Sequence, residues 1–82
     1  MPAAVPTLSR VAFFRLFTAA ERTAIRGSAD PGVRDMLYLA EHAEVIDLAD
    51  PDVVAGVRHL AALGILTEPR AQAVLAGMAP GA

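Results

Sequence analysis

The side chains able to ligate, attack or move protons are few in this chain, and their spacing decides how each is read. The acidic stretch Asp47, Asp50, Asp52 resembles the start of a calcium loop. Such a loop also needs a central glycine and a bidentate glutamate at its far end, and neither follows here. Capping explains two of the three. Asp50 stands directly before Pro51, as a helix cap does, and Asp52 falls in the first turn, where the helix dipole favours a carboxylate. His42 and His59 are the only histidines, and neither has a partner at ligand spacing on its own helix. They read as surface or boundary imidazoles. Ser9 and Ser28 lie at helix ends outside any G-x-S-x-G context, so capping is their ordinary role. No glycine-rich loop is built to cradle phosphate, and with no cysteine there is no thiolate site or disulfide. These residues predict no catalytic, cofactor-binding or metal-binding group, and the chain reads as non-enzymatic.

Arginine and phenylalanine give a sharper signal. All seven basic residues are arginine, and four of them, Arg10, Arg15, Arg22 and Arg26, fall in the first third beside Phe13, Phe14 and Phe17. A solvated face is the bland reading of those arginines. The functional one is a contact surface for acidic groups, since guanidinium suits desolvated pairing with carboxylates. The phenylalanines suit a core, yet all three lie within five residues and one helix face cannot hide them all deeply. Phe13 or Phe14 is therefore the candidate interface anchor, where aromatics and arginine concentrate. The interface candidates are Arg10, Phe13, Phe14, Arg15, Arg22 and Arg26. A pI of 5.5 and so few cations argue against nucleic acid as the partner.

Local punctuation predicts the elements that position these residues. Residues 1–8 contain two prolines and no periodicity, and read as an extended arm. Ser9 caps a first helix to about Phe17, with Val11, Phe14 and Phe17 on one side and Phe13 and Leu16 beside them. Thr18-Ala19-Ala20-Glu21 is a capping box opening a second helix, with Ala20, Ala24 and Ile25 as an apolar strip and Arg22 and Arg26 outward. Gly27 suits a left-handed stop. Asp30-Pro31 starts a third helix through Val33, Met36, Leu37 and Ala40, reaching about Ala43.

Glu44 to Ala49 alternates like a strand but finds no second strand-like segment, so it reads as an irregular connector with Ile46 and Leu48 plugging the core. Asp50-Pro51 starts a fourth helix, in which Gly56 costs about 1 kcal/mol relative to alanine unless another helix approaches closely. Gly64 closes it in a Schellman stop, and Thr67 caps a fifth helix that Gly77 ends. The two Asp-Pro starts have unlike flanks and are not a structural repeat. The predicted architecture is an all-α compact bundle of four to five short helices with no significant sheet. It has an arm at 1–8, a helical domain at 9–77 and a tail at 78–82.

Composition bounds what this domain does. Hydrophobic residues make up 55% of 82, but 18 of them are alanine, so the core is expected to be thin and self-association or a partner to help it. No apolar run reaches the roughly 20 residues of a membrane span. Met1 to Pro6 lacks the basic start and apolar centre of a signal peptide, so the expected product is soluble and intracellular. The net charge of −2 conceals a split: residues 1–29 carry +3, residues 30–52 carry −6 and the remainder +1. Such a split favours head-to-tail contacts, with the acidic stretch meeting a second copy's arginines.

The order of segments also resembles a known class. Phe14-Arg15-Leu16-Phe17-Thr18, Glu21-Arg22, Ala24-Ile25-Arg26 and the Asp30-Pro31 start are similar to small uncharacterised proteins from tail gene clusters of tailed bacteriophages and prophages. In the second half Ile46-Asp47-Leu48, Asp50-Pro51, Gly56-Val57, Leu60, Leu63-Gly64-Ile65-Leu66-Thr67 and Arg70-Ala71 are similar too, so the resemblance spans about residues 9–77. It implies a virion structural or tail-assembly protein, docked on a larger tail or fibre protein or on copies of itself. Its place would be the virion tail, or the host cytoplasm during assembly. The alternative from another class is a small regulator or inhibitor that binds a host factor.

Overall fold

A computed structural model of the chain describes residues 7–78. Its elements run β1 (Thr7–Ser9), α1 (Arg10–Phe14), α2 (Ala19–Gly27), α3 (Pro31–His42), β2 (Val45–Asp47), α4 (Pro51–Ala62) and α5 (Glu68–Leu75). The described residues are mostly helical and compact, with one small two-stranded sheet among them. Each helix begins at a residue whose side chain accepts from a first-turn amide: Ser9 from Ala12, Thr18 from Glu21, Asp30 from Val33, Asp50 from Asp52 and Thr67 from Arg70. At Thr18 the capping box is complete. The Glu21 amide donates to Thr18 Oγ1 at 3.1 Å and the Thr18 amide donates to Glu21 Oε1 at 2.8 Å.

Helix ends are equally local. Gly64 has φ +80°; its amide donates to the Ala61 carbonyl and the Ile65 amide to the Leu60 carbonyl, the paired bonds of a Schellman stop. Gly77 repeats this at φ +74°, with Met78 donating to Ala73. Gly27 does not. It is the last residue of α2 without a left-handed φ, and the chain leaves through extended Ser28 instead.

The connector reading of residues 44–49 is corrected by the structure. Val45–Asp47 pairs antiparallel with Thr7–Ser9, in the register Thr7 with Asp47, Leu8 with Ile46 and Ser9 with Val45. The partner strand is made of Thr7 and Leu8 from the end of the predicted arm and the cap Ser9 itself, and three residues are too short to show alternation. Residues 1–6 of that arm and 79–82 of the tail lie outside the described residues. Ile46 and Leu48 do plug the core.

The core is one cluster fed by every helix: Phe13, Leu16, Phe17, Ile25, Val33, Val57, Leu60, Leu66, Ala71 and Val74, with Ile46 and Leu48. Every fully buried side chain among the described residues is apolar. The first helix stops at Phe14 and not Phe17; Arg15 to Phe17 make a turn. That turn swings Leu16 and Phe17 inward beside Phe13 and leaves Val11 exposed, so the buried set differs from the expected Val11–Phe14–Phe17 side. Phe13 packs edge-on to both Phe14 and Phe17, with centroids 5.4 Å apart in each case. On α2 only Ile25 is buried; Ala20 and Ala24 face solvent.

Gly56 is where α3 and α4 touch. A Cβ there would come within 2.6 Å of Met36 Sδ and 2.8 Å of its Cγ. Close helix approach therefore accounts for the glycine, as expected.

Candidate functional site

The interface candidates divide once their contacts are known. Phe13 is 2% exposed, so it belongs to the core and cannot serve as an anchor in the folded chain. Phe14 is half-buried and keeps an accessible edge. Arg22 does not stand outward. Its Nη1 donates to the carbonyls of Phe17 at 2.6 Å and Phe14 at 3.3 Å, closing the end of α1. Arg10 donates to the Glu41 carbonyl at 2.8 Å, tying the start of α1 to the end of α3. Arg15 and Arg26 are exposed, and their side chains make no hydrogen bond or ion pair with the described residues. Of the six, only Phe14, Arg15 and Arg26 remain available to a partner.

Two ion pairs were beyond sequence reasoning because each joins residues far apart. Arg70 on α5 grips Glu21 through two parallel bonds, Nε to Oε2 at 3.0 Å and Nη2 to Oε1 at 2.9 Å, and Nη2 also donates to the Leu16 carbonyl at 2.7 Å. The arginine bond holds the Glu21 carboxyl below its usual range, against the opposing effect of burial, with the Thr18 amide adding to it. The same pairing raises Arg70. On the other side His59 Nε2 lies 2.6 Å from Asp30 Oδ2. An ionised carboxylate can only accept, so the imidazole donates. That bond first, and the Val33 amide second, hold Asp30 below the ordinary aspartate value. His42 Nδ1 donates to the Tyr38 carbonyl at 2.8 Å within α3.

A concavity lies where α3, β2 and α4 meet. It is an open groove of about 660 Å³ with an apolar floor from Met36, Leu39, Ala40, Val45, Val53 and Gly56. Asp35, Asp47, Asp50 and Asp52 line it together with His59, and no arginine does. The local chemistry of the fold brings them there. Asp50 and Asp52 cap and open α4, and Asp47 ends β2 with its Oδ1 accepting from the Ala49 amide. Leu39 and Val45 remain 54% and 57% exposed. Sequence spacing alone presents Asp50 and Asp52 as helix-start residues and His59 as a boundary imidazole; the fold collects them along one groove. The signal that could have linked them is the α3–α4 hairpin, with its two Asp-Pro starts.

Chemically this lining offers carboxylates and an imidazole above aliphatic carbon. Among the described residues no group of three or more His, Asp, Glu or Cys side chains is arranged to hold a metal ion. The lining has no hydroxyl, thiol or amine nucleophile. Comparison of the chain with protein-family models, curated proteins and solved structures gives no match.

Proposed function

We propose that this chain is a non-enzymatic docking protein of a bacteriophage virion, a structural or tail-assembly component that packs against a larger tail or fibre protein. The observation that carries the docking half is the open α3–β2–α4 groove, whose aliphatic floor keeps Leu39 and Val45 more than half exposed. A core this small leaves few large apolar side chains to spare. Displaying them along one rimmed groove fits a surface completed by another protein. Arg15 and Arg26, both exposed, and the accessible part of Phe14 are further points at which a partner could make contact. The virion half rests on the resemblance of residues 9–77 to small tail-cluster proteins. No helix among the described residues is long and apolar enough to cross a membrane.

Mass spectrometry of purified virions tests the reading. The chain is expected in stoichiometric amount with the tail proteins. Its absence from virions, in infected cells that contain it, would overturn the structural role and leave the host-factor regulator as the reading to pursue.

A further inference from the structure

We infer that the α3–β2–α4 groove is a binding site for a basic amphipathic helix of a partner protein, with aliphatic side chains on the floor and arginine or lysine side chains on the aspartates. The inference deepens the docking reading by naming the surface and the chemistry of its occupant.

Three observations carry it. First, the four rim aspartates are uncompensated. The ion pairs among the described residues are Arg58–Glu68, His59–Asp30 and Arg70–Glu21, and none reaches Asp35, Asp47, Asp50 or Asp52. The protein therefore holds a cluster of negative charge over aliphatic surface, which attracts cations and raises their local concentration. Second, Leu39 and Val45 are too open for a small-molecule site, which typically buries 70–90% of its ligand. A helix laid along the groove covers such residues with side chains at i, i+3, i+4 and i+7. Third, none of the seven arginines lines the groove: Arg10 donates to the Glu41 carbonyl, Arg22 to α1, Arg58 and Arg70 pair with glutamates, and Arg15, Arg26 and Arg34 lie outside the lining, the last two beside Asp35 in a neighbouring concavity without forming an ion pair to it.

Asp47 and Asp50 accept from backbone amides of their own turns, so removing them would disturb the fold. Asp35 and Asp52 make no side-chain hydrogen bond among the described residues, which makes them clean probes.

The test is fluorescence-anisotropy titration of the full chain with a labelled 16-residue helical peptide. It carries leucine at i, i+3, i+4 and i+7 and arginine on both flanks. Two control peptides replace arginine by glutamate or leucine by serine. The arginine–leucine peptide is expected to bind saturably and at least tenfold more tightly than either control. The double variant Asp35→Asn/Asp52→Asn and the single variant Leu39→Ser, each checked for native circular dichroism, should each weaken it about tenfold. Equal binding of the serine peptide would mean unspecific charge attraction and would overturn the proposal, as would unchanged binding by both variants. A chain whose self-association in sedimentation is abolished by Leu39→Ser and resists the peptide has its own second copy in the groove, which also overturns it. Virion composition is independent of this titration, so failure of the groove and failure of the tail reading are separable.

Discussion

Arg70 is the residue on which most separate parts of the chain converge, since its guanidinium serves the start of α2 and the end of the α1 turn at once. Truncating it leaves the Glu21 carboxylate with only the Thr18 amide and the Leu16 carbonyl without this donor. Arg70→Met is expected to lower unfolding free energy by about 2 kcal/mol in urea denaturation. Glu21→Gln should cost less, about 1 kcal/mol, because glutamine still closes the capping box but loses the ionic share of the pair. The pH dependence has a definite sign. Glu21 and Asp30 both have folded-state pKa values below their ordinary ones. Their contribution is fully present above the ordinary carboxylate range and lost as pH falls through the depressed values. Urea midpoints measured from pH 6 downward should therefore decline more steeply in the parent than in Glu21→Gln. The capping half of Glu21 is legible in sequence because cap and partner stand three residues apart. The Arg70 half is not, since 49 residues separate the two and no periodicity links them.

At the scale of elements, the Met36–Gly56 contact sets how near α3 lies to α4, and with it the floor of the groove. Gly56→Ala would ordinarily gain about 1 kcal/mol in helix propensity. Here the new methyl would meet Met36 Sδ and Cγ, so a net loss of about 1 kcal/mol is expected. In a Met36→Ala background the same change should turn stabilising, and a thermal double-mutant cycle reads the sign. Gly64→Ala should cost about 1 kcal/mol, because its φ of +80° suits only glycine while the space beside it is empty. Helix starts and the two glycine stops at 64 and 77 were legible, since each is written in four or five adjacent residues. The β1–β2 pair was not. Strand pairing across the 35 residues between Ser9 and Val45 leaves no local mark when both strands are three residues long. The early end of α1 was hidden for a related reason: turning Leu16 and Phe17 inward is decided by tertiary packing, against a pattern that favours continuing the helix.

For the molecule as a whole, the charge split read from the sequence survives in altered form. The acidic stretch becomes a groove rim, whereas half of the arginine cluster turns inward to carbonyl groups. The surviving cations, Arg15 and Arg26, leave a weaker basic face than the sequence promised. Any head-to-tail association should accordingly be shallow and fall away in sedimentation as salt rises from 0.05 to about 0.5 M. The Arg70–Glu21 clasp has a further consequence for how the protein comes into being. At about 5–20 residues per second of synthesis, Glu21 is made roughly 2 to 10 s before the residue that grips it. Throughout that interval Leu16 and Phe17 await the helix that carries Arg70, Ala71 and Val74, and the newborn chain has a cap but no lock. The fold can thus close only once Arg70 has been made, and a chain stopped after Thr67 should show little of the parent's far-ultraviolet helical signal.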